Sequence, residues 1–138
     1  MDMASAQKKL ATLSNDYQTL QAELQKQVEI RQRLDAQLSE NDQVKKEFAK
    51  LKPENQVYKL IGPALVKQDQ AEAKANVEKR IEFINNEVTR VEDKLKELSK
   101  KMEAKRNEIV ELQTKAQAQL GPQAGGGQPG PAPTAVST

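Results

Sequence analysis

Reactive side chains are abundant in this sequence but of few kinds. Twenty Asp and Glu stand against 22 Lys and Arg, and histidine and cysteine are both absent. That removes the imidazole that moves protons near neutral pH, and with it thiol nucleophiles, disulfides and the usual zinc clusters. The carboxylates recur at helical-surface spacings that suit pairing with lysine and arginine. Five of the six glycines lie beyond residue 120 and Gly62 stands alone, so no loop could cradle a phosphate. No grouping of nucleophile, base and orienting residue can be drawn. The chain reads as a non-enzyme, with no catalytic residue, no cofactor and no metal.

The remaining chemistry is recognition by apolar groups. Between two long polar stretches lies one short run of β-type residues, Gln56-Val-Tyr-Lys-Leu-Ile-Gly-Pro-Ala-Leu-Val-Lys-Gln-Asp69. Alternation puts Val57, Lys59 and Ile61 on one face and Tyr58 and Leu60 on the other. In the return strand Ala64 and Val66 oppose Leu65 and Lys67. Both faces are partly apolar, as in a strand covered on each side. A hairpin is predicted, without a turn type: Gly62 can take positive φ, but Pro63 does not suit the second central place of a type I turn. Two such strands are marginal alone in water and leave open edges. Two readings stay open: an irregular loop whose apolar residues cap the helices, or an assembly element whose edges pair with other chains. The second gives subunit assembly to Val57, Tyr58, Leu60, Ile61, Ala64, Leu65 and Val66.

The elements that hold this segment are helices. Only 3% of residues are aromatic and 30% are charged, a balance that fits a coiled coil rather than a compact globular core. The first helix carries Leu10, Leu13, Tyr17, Leu20, Leu24, Leu34, Leu38 and Phe48 at 4-3 spacing, with Gln27, Arg31, Asn41 and Lys45 in the same register. Polar seam residues cost stability and suggest a loosely held pair; alternatively Val28, Ile30 and Val44 cover the gaps through a small shift of the seam. The second seam is cleaner: Val77, Ile81, Ile84, Val88, Val91, Leu95, Leu98, Met102, Ile109, Leu112 and Ala116, with Lys105 in their midst.

Pro53 disfavours helix at Lys52, Asp69 with Glu72 resembles a capping box, and Gly121-Pro122 is a stop. Helices of about 5–51 and 70–120 are therefore predicted around a hairpin of about 56–67. The fold class is mainly α: an antiparallel coiled-coil helical hairpin with one small β-hairpin at its bend. Each helix would span about 65–75 Å. Residues 121–138 carry no charge and four of the six prolines, a composition expected to be disordered.

Charge is evenly mixed, with nine basic and eight acidic groups over 1–52 and eleven and ten over 71–120. A nucleic-acid or anionic-membrane surface is therefore not expected. No apolar run reaches the roughly 20 residues of a membrane span, and no signal peptide is visible. An intracellular, cytosolic protein is expected.

The order helix, Val57-Tyr-Lys-Leu-Ile-Gly-Pro-Ala-Leu-Val-Lys-Gln68, helix resembles the β-class subunits of eukaryotic prefoldin, and Arg80-Ile-Glu-Phe-Ile-Asn-Asn-Glu-Val-Thr-Arg90 is similar to them too. The resemblance covers roughly residues 5–120; its specific part is the central segment, since heptads match many coiled coils. It implies a heterohexamer of two α-class and four β-class subunits whose hairpins build a double β-barrel carrying six coiled-coil arms. It also implies ATP-independent binding of unfolded proteins, actin and tubulin foremost, at the arm tips, and delivery to the cytosolic group II chaperonin. The partners implied are thus α-class and other β-class subunits, unfolded clients and that chaperonin. A tip at the chain ends would offer Met1, Met3, Leu10 and Leu13 beside Ile109, Leu112 and Leu120, although Leu10, Leu13, Ile109 and Leu112 are also seam positions. Methionine adapts to varied partners. Phe83, off the seam, and Val44 and Leu51 near the end of the first helix are further candidates for contact with a neighbouring subunit. The competing class is a structural coiled-coil scaffold or tether without chaperone activity.

Overall fold

The structure, a computed structural model, describes residues 2–120. The order is α1 (Met3–Lys50), β1 (Val57–Ile61), β2 (Ala64–Gln68) and α2 (Gln70–Leu120). Two long helices with a small antiparallel hairpin between them make a mainly α chain. Expectations for Met1 and for the 121–138 tail lie outside the described residues.

Both helix starts are fixed by an aspartate. Asp2 Oδ1 accepts the Ser5 N–H at 2.7 Å and Asp69 Oδ2 accepts the Glu72 N–H at 3.0 Å, each satisfying one of the amides a helix start leaves unpaired. Helix α1 stops at Lys50, ahead of Pro53.

The chain forms two compact units. Among the described residues, the terminal unit holds residues 2–23 and 98–120; the hairpin unit holds residues 24–97. In the terminal unit Ala6, Leu13 and Leu112 are buried together, with Leu10 and Ile109 packed against them. Lys105 reaches across the seam there, its Nζ 3.6 Å from Asp16 Oδ2. In the hairpin unit Ile84, Val91 and Ala73 are buried.

All eleven apolar seam positions expected of α2 are buried or half-buried. On α1, Gln27, Arg31 and Asn41 are half-buried seam residues, and Val28 and Ile30 lie half-buried beside the first two. Lys45 departs from the expected seam and is exposed, as is Val44, so neither closes the gap after Asn41. A lysine there keeps its ammonium hydrated by staying out. Arg31 stays in because it is paired: its Nη2 donates to Glu92 Oε1 at 2.8 Å across the seam, and Nη1 donates to Asp35 one turn on. Asn41 donates its side-chain N–H to the Gln37 carbonyl at 2.7 Å. No buried side-chain polar atom lacks a partner among the described residues.

Candidate functional site, an open β-hairpin and an apolar helix end

The hairpin is built from its turn outward. Ile61 pairs with Ala64, so Gly62 and Pro63 alone make the loop. Gly62 has φ 58°, and the ring of Pro63 fixes a negative φ. Positive then negative is the sign pattern of a type II′ turn, which matches the twist of the flanking strands. The difficulty that Pro63 poses for a type I turn therefore does not arise.

Register runs Val57–Gln68, Tyr58–Lys67, Lys59–Val66, Leu60–Leu65 and Ile61–Ala64. One face carries Val57, Lys59, Ile61, Ala64 and Val66; the other carries Tyr58, Leu60, Leu65 and Lys67. Of the seven residues expected to serve assembly, Val57 is half-buried and the other six are exposed. Leu60 and Leu65, directly opposed, are 67% and 68% exposed. In a two-residue hairpin the pair flanking the turn is hydrogen-bonded and the next pair is not. The backbone polar groups of Tyr58 and Leu60 on β1, and of Leu65 and Lys67 on β2, therefore point to the open edges. The segment is neither an irregular loop nor a cap on the seam: its apolar groups face outward.

The base of the hairpin is tied down. Lys52-Pro-Glu-Asn55 is a turn in which the Asn55 N–H donates to the Lys52 carbonyl at 3.0 Å and the Lys52 N–H donates back to Asn55 Oδ1 at 2.7 Å. Gln70, the first residue of α2, gives its side-chain amide to the Lys52 and Asn55 carbonyls at 3.1 and 3.3 Å. One side chain thereby joins the end of α1, the approach to β1 and the start of α2. Sequence reasoning passed over Asn55 and Gln70; the Lys-Pro-Glu-Asn stretch, with proline at the second turn position, was the available signal.

The terminal unit presents a second apolar surface. Met3 is exposed, Leu10 and Ile109 are half-buried, and Leu13 and Leu112 are buried. Pairing across the seam thus removes Leu13 and Leu112 from the accessible set. The side chain of Leu120 lies outside the described residues. Val110, not singled out from the sequence, is exposed beside Ile109; its apolar side chain off the seam was the signal. Two grooves flank Ala6, Leu112 and Ala116. One, of about 380 Å³, is lined further by Met3, Gln7 and Leu10 and has no charged lining. The other, of about 430 Å³, is edged by Lys9, Glu108, Glu111 and Lys115.

A family profile described as "Prefoldin subunit" matches residues 11–116. The chain belongs to the prefoldin family. Prefoldin subunit 6 of Homo sapiens is 44% identical over 119 residues, covering 86% of this chain and 92% of the human protein. Prefoldin subunit 6 of Saccharomyces cerevisiae is 41% identical over 113 residues, covering 82% and 98%. Among solved structures, the prefoldin beta subunit from Thermococcus strain KS-1 has a TM-score of 0.68 at 24% identity, covering 73% of this chain and 89% of that one. The beta2 subunit of the same strain has a TM-score of 0.57 at 23% identity, covering 66% and 97%. These two likenesses concern the fold: a prefoldin β-type chain of two helices and one hairpin. The resemblance carried by residues 57–68 and 80–90 is borne out. As a prefoldin chaperone subunit, the chain belongs to a family of non-enzymatic chaperones and assembles with other prefoldin subunits. No described helix is long and apolar enough to cross a membrane.

Proposed function

We propose that this chain is a β-class subunit of a heterohexameric, ATP-independent co-chaperone of the cytoplasm, which holds unfolded proteins at coiled-coil tips and delivers them to the group II chaperonin. Actin and tubulin are the clients we assign to it. Its hairpin joins an intersubunit β-barrel with two α-class and other β-class subunits, and its terminal unit contacts the client. The observation that carries the assembly half is the hairpin itself, apolar on both faces and open at both edges. Water-exposed leucines at this density mark an interface.

The client half rests on Met3 and Leu10, which line the uncharged groove, and on the half-buried Ile109 and exposed Val110 of the same unit. Each contact is weak, and several arms acting on one client raise the effective concentration of every further contact. Removing residues 1–9 and 113–138 leaves the hairpin unit whole. The shortened chain is expected to enter the assembly at wild-type yield but to lose most of its suppression of actin aggregation in a light-scattering assay. Undiminished suppression would move the client site away from the chain ends.

A further inference from the structure

A second apolar surface is open at the base of β1. Val44 and Phe48, four apart, lie on one stripe of α1, and Leu51 follows just past the helix end, its N–H donating to the Phe48 carbonyl at 3.2 Å. With Val57 they line a shallow cleft of about 200 Å³, edged by Glu47 and Gln56. Val44 is 43% exposed although it has no partner to gain from water, and Phe48, Leu51 and Val57 are only half-buried. The strand residue lining the cleft belongs to β1, and none comes from β2. The cleft therefore opens at the foot of β1, next to Tyr58, whose backbone groups, like those of Leu60, point away from β2.

We propose that this cleft seats an apolar side chain from the edge strand of a neighbouring prefoldin subunit. A strand added to the outer edge of β1 lies about 4.8 Å from it, and its end runs past Val57 over Val44 and Phe48. The backbone bonds of that strand fix direction but carry little specificity; an apolar seat at one end fixes register, because a slip by one residue turns the wrong face toward it. The occupant is aliphatic, since the lining offers one charged side chain and one amide against four apolar groups. The inference rests on the reading of the hairpin as the assembly element.

The chain has no cysteine, so Val44→Cys introduces a unique thiol. It is co-expressed with α-class and other β-class prefoldin partners, and its rate of labelling by a small maleimide is compared with that of the chain alone. Ala36→Cys, on the exposed side of α1, is the control. Labelling at Val44→Cys is expected to slow at least roughly tenfold in the assembly, with the control unchanged. Val44→Lys is expected to weaken incorporation roughly tenfold or more, as loss of a buried valine contact would, at unchanged helix content. An assembly that forms while Val44→Cys reacts at its free rate overturns the seat and leaves the assembly reading standing. Failure of the wild-type chain to assemble at all overturns both. Protection in the chain alone, or only after an unfolded client is added, overturns the choice of occupant in favour of a second copy or a client.

Discussion

Arg31 shows how a coiled-coil seam keeps a charge. A guanidinium at a half-buried position needs partners, and Glu92 across the seam and Asp35 on its own helix supply them. The hydrogen bond to Asp35, aided by Glu92, holds Arg31 more firmly protonated than a free arginine. Lys45, four residues past Asn41, is exposed and forms no ion pair among the described residues. This distinction was invisible in the spacing, which assigns both residues to one register; what holds Arg31 in is Glu92, 61 residues along the chain, a pairing that local spacing does not encode. The seam of α2 was legible from Val77 onward because Ile84, Val91 and Leu98 are apolar and no alternative face competes, whereas buried Ala73, one step earlier, is too small to stand out in the pattern. Asp2 carries a testable consequence. Its carboxyl is held below the ordinary value by the Ser5 backbone N–H and, secondarily, by the Ser5 side chain. A lowered folded-state pKa gives stability that is present above the unfolded value and lost as pH falls through the folded one. Amide exchange at Ser5 should therefore stay slow through the ordinary aspartate range and rise only below it. Asp2→Asn, which still caps, should abolish that pH dependence while keeping the protection.

Among the elements, the hairpin has its place and strand faces written in the sequence, through period-two alternation between a proline-ended helix and an aspartate-capped one. Its turn and its anchorage were not written there as plainly. The turn followed from the sign of φ at Gly62, which determines whether proline fits after it. The anchorage depends on Gln70 bonding to carbonyls 18 and 15 residues earlier in the chain, a pairing that no local pattern encodes. Gln70 matters because it fixes where the hairpin leaves the helices. Gln70→Met keeps the shape and removes the donor. It should cost about 1 kcal/mol in thermal unfolding, the net worth of a typical hydrogen bond, and should speed exchange at the Asn55 amide. Unaltered exchange there would mean the Lys52–Asn55 turn holds itself.

At the scale of the whole molecule, burial is uneven among the described residues. Its helices satisfy each other within each unit, whereas the hairpin leaves Tyr58, Leu60, Ile61, Leu65 and Val66 in water. Stable monomers seldom expose such a contiguous set, and our proposal is that other prefoldin subunits supply the cover. The family was legible in residues 57–68 because they depart from the generic heptads on either side. The client surface was less so, since Leu10, Leu13, Ile109 and Leu112 fit seam and surface equally well until burial separates them. A scaffold or tether built on the same helices would form a defined oligomer by itself, with no need of α-class partners. Native mass spectrometry of the chain, alone and co-expressed with α-class and other β-class subunits, tests the central claim most directly. Tyr58→Asp with Leu60→Asp is the decisive variant, because exposed positions tolerate substitution at a cost within about 0.5 kcal/mol. The wild-type chain should enter a two-plus-four assembly, and the double variant should keep its helix content yet stay out. A wild-type chain that assembles only with itself, or a double variant that enters as readily as wild type, would contradict the account.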